Sequence, residues 1–257
     1  MRNTPLSRML VLATIASLIG VAIVYAIDWF PTQASTAAPA VDRLYDVLLF
    51  VSVPIFVGVM TVVIYSVVRF RARPGDMGDG EPIHGSARLE LIWVVVPFII
   101  VSAISVYAWV VLDDQEDAKP NEMVVQVVGQ QFAWHFAYPD ASGKTVRTDD
   151  LVLPENRPVK FDITAEDVIH SFFVPAFRLK SDAVPGLTTS FRVTPNRLGD
   201  YSILCAELCG LGHATMRQSL KVVPEAEFAA WLEKKRGEAT ANASAGASDA
   251  SSGSESQ

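Results

Sequence analysis

A chain of 257 residues leaves room for one or two domains. Half of it is hydrophobic and its mean hydropathy is +0.29, which is high for a protein surrounded by water and points to a membrane part joined to a water-exposed part. The formal charge of −7 and the absence of any long basic block argue against nucleic acid as a partner.

Residues 9–27 are uncharged and apolar, preceded by Arg2 and Arg8 and followed by Asp28, Trp29 and Phe30. A secretory signal has a positive start, a shorter apolar run and a small-residue cleavage site, and the Ala/Ser/Thr stretch at 34–40 offers one. A retained helix is the competing reading. The run is long enough to span a bilayer, and the aromatic pair stands where an interfacial anchor belongs. Length favours retention, and the signal reading stays open.

Residues 48–68 and 91–112 form two further apolar runs, each with about the 20 residues that a spanning helix requires. Pro54 and Pro97 lie inside them, which membrane helices tolerate when packed neighbours satisfy the freed carbonyls. Both runs are apolar all round, unlike core helices of a soluble protein. Arg69, Arg71, Arg73 and Arg88 make the loop between them cytoplasmic by the positive-inside rule. Arg2 and Arg8 place the N-terminus on the same side. The segment after Leu112, opening with Asp113, Asp114, Gln115, Glu116 and Asp117, then lies outside. Glu90 stands at the cytoplasmic lip of the third run. It reads as an ordinary interfacial carboxylate or as an entry point for protons, because ionisable groups at membrane level often mark proton paths.

From residue 113 to 224 the pattern changes to short alternating, β-branched runs. Strands are expected at 123–128, 133–138, 159–164, 188–194, 201–204 and 219–223. Turns are expected at Pro139-Asp140, Pro154-Glu155-Asn156, Pro185-Gly186 and Gly199-Asp200. About a hundred residues of this kind suggest a Greek-key sandwich or barrel.

Both cysteines of the chain, one of its four histidines and a methionine fall within twelve residues, Cys205-Ala-Glu207-Leu-Cys209-Gly-Leu-Gly-His213-Ala-Thr-Met216. Thiolate, imidazole and thioether together select soft metals such as copper, zinc or iron–sulfur. A second imidazole is needed. His84 falls in the cytoplasmic loop, and His135 sits in a strand between Trp134 and Phe136 without ligand spacing, which leaves His170. One blue-copper ion uses a single Cys, two His and a weak Met, so the second thiolate suits two bridged copper ions. Structural zinc leaves Met216 unexplained, and zinc or a plain disulfide ranks behind copper.

These residues closely resemble subunit II of the haem–copper cytochrome c oxidases. The likeness rests on Cys205-x-Glu207-x-Cys209-Gly-x-x-His213-x-x-Met216, His170-Ser-Phe-Phe-Val-Pro175, Lys180-Ser-Asp182-x-x-Pro185-Gly186 and Glu90-x-x-Trp93, and covers roughly residues 45 to 223. The resemblance implies a cupredoxin-like Greek-key β-barrel carrying a binuclear CuA centre. Cys205 and Cys209 would bridge the coppers, with His170 and His213 as terminal ligands and Met216 and the Glu207 carbonyl as weak ones. The Glu207 side chain would face a magnesium or manganese ion shared with subunit I. Cytochrome c would deliver the electrons, subunits I and III would be partners, and Glu90 would match the mouth of a proton pathway. Many members carry Gln-Trp-x-Trp as the electron entry; here the stretch reads Gln131-Phe132-Ala133-Trp134, so Phe132 stands where the first tryptophan belongs.

The fold expected is therefore membrane α plus all-β, in four parts. Residues 1–44 hold the first run and an external loop, 45–112 a transmembrane hairpin, 113–224 the cupredoxin-like domain, and 225–257 a short helix to Arg236 followed by a disordered Ala/Ser/Gly-rich tail. The expected location is a bacterial plasma membrane with the copper domain outside. Two alternatives share parts of this pattern. A quinol oxidase subunit keeps the fold without copper, and the full ligand set argues against it. A membrane-tethered copper carrier needs an open site for one exchangeable ion, whereas this motif encodes a closed one for two.

Overall fold

The computed structural model describes residues 5–252 except 73, 76–77, 79–81, 83 and 140–144. Arg73 of the arginine-rich loop, Asp140 of the first expected turn and residues 253–257 of the tail lie outside them. The chain forms two compact units, residues 1–29 with 40–112, and residues 30–39 with 113–257.

The first unit holds three helices, α1 (Pro5–Tyr25), α2 (Ala38–Arg69) and α3 (Ala87–Glu116). All three are long and apolar enough to cross a membrane, and none buries its apolar window inside the protein. A helix suits that setting because every backbone polar group is satisfied within its own segment. Pro54 and Pro97 are carried inside α2 and α3 without breaking them. The sequence puts a boundary between residues 44 and 45, but α2 runs straight through that point. It starts early because Ser35 caps it, its Oγ accepting the Ala38 N–H at 3.2 Å.

The second unit is a sandwich of two five-stranded sheets. The strands are β1 (Met123–Gln130), β2 (Ala133–Pro139), β3 (Thr145–Thr148), β4 (Leu151–Pro154), β5 (Val159–Ala165), β6 (His170–Val174), β7 (Leu179–Ala183), β8 (Thr189–Val193), β9 (Gly199–Cys205) and β10 (Arg217–Val223). One sheet has the order β3-β2-β1-β5-β8 and the other β4-β10-β9-β6-β7. The pairs β1–β5 and β4–β10 are parallel and the rest antiparallel. Period-two alternation aims one face of each strand inward. In β5, Val159, Phe161, Ile163 and Ala165 are buried while the residues between them are not. They meet Phe172, Ile203, Leu220 and Val222 in a single core.

This is the membrane-α plus all-β, cupredoxin-like arrangement that the sequence suggests, built as two sheets rather than a continuous barrel. At the β7–β8 edge the sheets are joined by the Thr189 hydroxyl on β8, which donates to the Asp182 carbonyl on β7 at 2.8 Å and accepts from Ser181 at 3.1 Å. The strands β3, β4 and β7 are not evident in the sequence. They are four or five residues long, and β3, β4 and β7 all lie at sheet edges.

After β10, α4 covers Glu225–Ser252. Its first turns pack on the sandwich, with Phe228 buried and the Phe228 and Trp231 rings 6.2 and 5.3 Å from that of Tyr138. The expected stop at Arg236 and the expected disorder beyond it are corrected here, since the helix continues to Ser252. Alanine, the strongest helix former, recurs through this stretch, and no proline interrupts it.

Candidate metal centre

The soft residues sit on the loop between β9 and β10 and at the start of β6. The Cys205 N–H donates to the Met216 carbonyl at 3.1 Å, pinching the loop at its base, and the Ala206 N–H reaches the Ser171 carbonyl at 2.9 Å. A 3-10 turn at His213–Thr215 then folds the tip back, with the His213 N–H on the Gly210 carbonyl at 3.1 Å. Gly210 stands at φ +133°, a conformation that side chains resist.

This fold brings five side chains together. The Sγ atoms of Cys205 and Cys209 are 3.8 Å apart, and both thiols are free. His170 Nδ1 lies 3.9 Å from Cys205 Sγ, and His213 Nδ1 lies 3.7 Å from Cys209 Sγ. Met216 Sδ is 3.8 Å from Cys209 Sγ, and the Glu207 carbonyl is 3.2 Å from Cys205 Sγ. Among the described residues, His170, Cys205 and Cys209 have ligand atoms that all lie within 4.8 Å of one another, close enough to hold an ion. Cys209, Met216 and His170 are buried, so the site is sheltered on the protein side.

Burial, followed by the neighbouring Cys205 thiol, pushes the Cys209 thiol up to about 11. Without a cation Cys209 therefore holds its proton, and a metal must displace it to bind the thiolate.

Asp167 organises the imidazole side. Its Oδ1 lies 2.8 Å from His170 Nε2 and accepts the Val168 N–H at 2.7 Å, while its Oδ2 accepts the Gln131 N–H at 2.8 Å. Burial pushes the Asp167 carboxyl up, but these hydrogen bonds, led by that of His170, outweigh it and hold the group at about 2. A carboxylate on one ring nitrogen leaves the other free to bind metal and fixes the ring's orientation. Asp167 was not singled out in the sequence; an acid three residues before a ligand histidine was the available signal.

Of the two aromatic candidates, Trp134 is buried, with its ring edge-on to His170 at 5.9 Å and to Phe172 at 5.2 Å. Its backbone is clamped by Gln218, whose Oε1 accepts the Trp134 N–H at 2.6 Å and whose Nε2 donates to the Trp134 carbonyl at 2.9 Å. Phe132 is part-exposed and lies on the metal loop. A Cβ at Gly212 would fall 2.5 Å from its ring, and one at Gly210 3.2 Å. Gln131 ties the same corner down by donating from Nε2 to the Cys209 carbonyl.

The Glu207 residue is exposed. His135 turns outward to Asp149, 2.7 Å from its Nδ1. Glu90 is in the first turn of α3 in the other unit and is exposed.

A β-sandwich carried on a chain with three membrane-length helices, with two thiols, two imidazoles and a thioether gathered at one loop, defines a membrane protein with a soft-metal site. Comparison with known proteins narrows the class. The family model for the periplasmic domain of cytochrome c oxidase subunit II matches residues 142–223, and that for its transmembrane domain matches residues 22–111. The cytochrome c oxidase subunit 2 of Thermostichus vulcanus is 31% identical, over 82% of this chain and 80% of its own length. That of Cereibacter sphaeroides is 32% identical over 81% and 80%. Among solved structures, the periplasmic domain of subunit II of the Bradyrhizobium japonicum cytochrome oxidase is similar at 29% identity and a TM-score of 0.44, covering 48% of this chain and 99% of that one. The chain belongs to the cytochrome c oxidase subunit II family, and is thus a component of an oxidoreductase complex.

Proposed function

We propose that this chain is the electron-entry subunit of a respiratory cytochrome c oxidase. It takes electrons from cytochrome c at a binuclear CuA site on the outer face of the cell membrane. It passes them to haem in subunit I, where oxygen is reduced to water and protons are pumped. The observation that carries this reading is the convergence of both thiols, His170 Nδ1, His213 Nδ1 and Met216 Sδ on one small volume.

The donor set fits the metal. Two sulfurs within 3.8 Å of each other, each with its own imidazole, leave a residue of function for every group that a single zinc or blue-copper ion would not use. Cys205 and Cys209 would hold both ions, His170 and His213 one each, and Met216 and the Glu207 carbonyl would be the weak donors. Bound there, two coppers would supply reversible one-electron chemistry with the charge spread over both. The chain contributes the rest. Asp167 holds His170 in its binding orientation, Trp134, itself backed by Phe172, packs edge-on to its ring, and Phe132 covers the tip of the loop. Glu207 is assigned to a magnesium or manganese ion shared with subunit I, and Glu90 to the entry of a proton path. Subunit III is the further partner of the assembly.

The full chain, purified in detergent and supplied with copper, tests the reading. Two coppers per chain and a paramagnetic signal of one electron shared between them are expected, and Cys205→Ser or Cys209→Ser should each abolish that signal. A single bound copper, or a colourless protein, would sink the proposal.

A further inference from the structure

We propose that Gly129 is a positioning residue of the metal centre. By carrying no side chain it admits the His170 imidazole to the space between the two sheets, and so sets where that ring meets Cys205. The proposal rests on the copper reading above and adds to it a residue that touches no metal.

Glycine is an unfavourable choice at this place. The inward-facing positions of β1 are Val125, Val127 and Gly129, all of them buried, and the third offers no side chain to the core. A glycine inside a strand gives up packing and backbone order, and it often marks a close approach by another group. The backbone does not demand it, since Gly129 is not one of the glycines with positive φ. Room does. A Cβ at 129 would fall 3.0 Å from His170 Cδ2, 3.2 Å from His170 Cγ and 3.0 Å from Trp134 Cζ3, tighter than side chains ordinarily pack.

Both neighbours are held in place. The two rings are fully buried and stand edge-on to each other at 5.9 Å. Trp134 is the cross-strand partner of Gly129 on β2, and Gln218 grips its N–H and carbonyl. His170 is held at Nε2 by Asp167 at 2.8 Å. The loop that carries Asp167 hangs in turn on the end of β1. The Glu166 N–H donates to the Gly129 carbonyl at 3.0 Å, and the Gln131 N–H donates to Asp167 Oδ2 at 2.8 Å. Gly129 therefore acts on His170 through the space at its Cα and through the loop pinned to its carbonyl. A methyl group there presses on the Cδ2 edge of the imidazole, beside the nitrogen that Asp167 holds. A ring that shifts to relieve this contact changes the place of Nδ1, now 3.9 Å from Cys205 Sγ. His213, on the other cysteine, is left as it was, so the two halves of the site become unequal.

Gly129→Ala is read first in the metal-free full chain in detergent, by NMR of isotopically labelled histidine rings. Of the four histidines, the one whose ring signal is lost in His170→Gln should shift, while the signals of His84 and His135 stay in place. Loaded with copper, the variant should retain the metal about 10- to 100-fold more weakly against a chelator, the range for residues that support a ligand from behind. Its paramagnetic signal should show the electron divided unevenly between the two ions. Gly129→Ala with Trp134→Phe gives the methyl group room on the indole side and keeps its contact with His170. If the single variant does not fold, this one carries the test against Trp134→Phe alone, with the same shifts expected. An unmoved His170 signal or unchanged copper retention overturns the proposal, and so does failure of both variants to fold. Should the parent chain bind fewer than two coppers, the copper reading fails, and the metal-free signal still decides whether Gly129 places the imidazole.

Discussion

The two units of this chain use the same apolar residues in opposite ways. In the helical unit Phe56, Phe98 and Trp109 are each about two-thirds exposed, and Gly20 of α1 leaves no room for a Cβ beside Val53 of α2. In the β domain Phe161, Phe172 and Ile163 are fully buried, and the side chains that reach the surface are largely polar. The difference is one of solvent. Lipid does not drive apolar groups together, so the helices depend on backbone satisfaction and close packing. Water does drive them together, and the sandwich is held by the burial that results. A metal site benefits from the second arrangement, because a close-packed core fixes ligand positions that a loosely associated helix pair would leave free to shift.

Paired substitutions should break that contrast most plainly. Phe172→Ala removes a ring that touches Trp134, Phe136 and Phe161, and should cost about 3–5 kcal/mol in denaturant unfolding of the β domain. Phe98→Ala, on an exposed helix face, should leave the thermal midpoint of the detergent-solubilised protein nearly unchanged. Equal losses would mean that Phe98 is buried within the chain's own fold. Next in size is Asp167→Asn, which removes the charge that orients His170 and should weaken metal retention about 10- to 100-fold, read by competition with a chelator.

The same carboxylate makes a smaller prediction about acid. Its pKa is depressed in the folded protein, from 3.8 to about 2, so its contribution to stability is complete above pH ~4. That contribution falls away as the pH drops through the folded value. Unfolding of the metal-free protein between pH 5 and 2 should show this loss, and Asp167→Asn should lack it. The smallest effect expected is that of Phe132→Trp. If electrons enter beside the metal loop at this position, the substitution should raise turnover with a soluble cytochrome c only modestly, since the ring already seats on Gly210 and Gly212. No change in turnover would direct the search for the entry point to another edge of the domain.

Much of this was legible in the sequence because it is local. Three apolar runs, alternation in β1, β2, β5, β8 and β10, and the spacing from Cys205 to Met216 are each set by neighbours a few residues apart. What could not be read depends on distant partners. Residues 30–39 look like a polar linker until Ala176, Phe177 and Thr194 supply their hydrogen bonds, more than a hundred residues later in the chain. Asp167 reads as a loop acid until the fold brings Gln131 to its second oxygen. Gln218 likewise gains its purpose from Trp134, which lies in the other sheet. The length of α4 was missed for another reason. Its Ala/Ser-rich sequence has no apolar face to signal a helix, although alanine's intrinsic preference favours one.

The seat of Phe132 on Gly212 makes these two positions epistatic. With no Cβ at 212, an aromatic ring can lie flat against the loop; any side chain at 212 would need the same space. Substitutions at the two sites therefore cannot be additive, and a side chain at 212 is compatible only with a smaller residue at 132. Across a lineage, the two residues are expected to change as a pair, so the identity of the aromatic beside the metal loop is decided in part by a glycine eighty positions away.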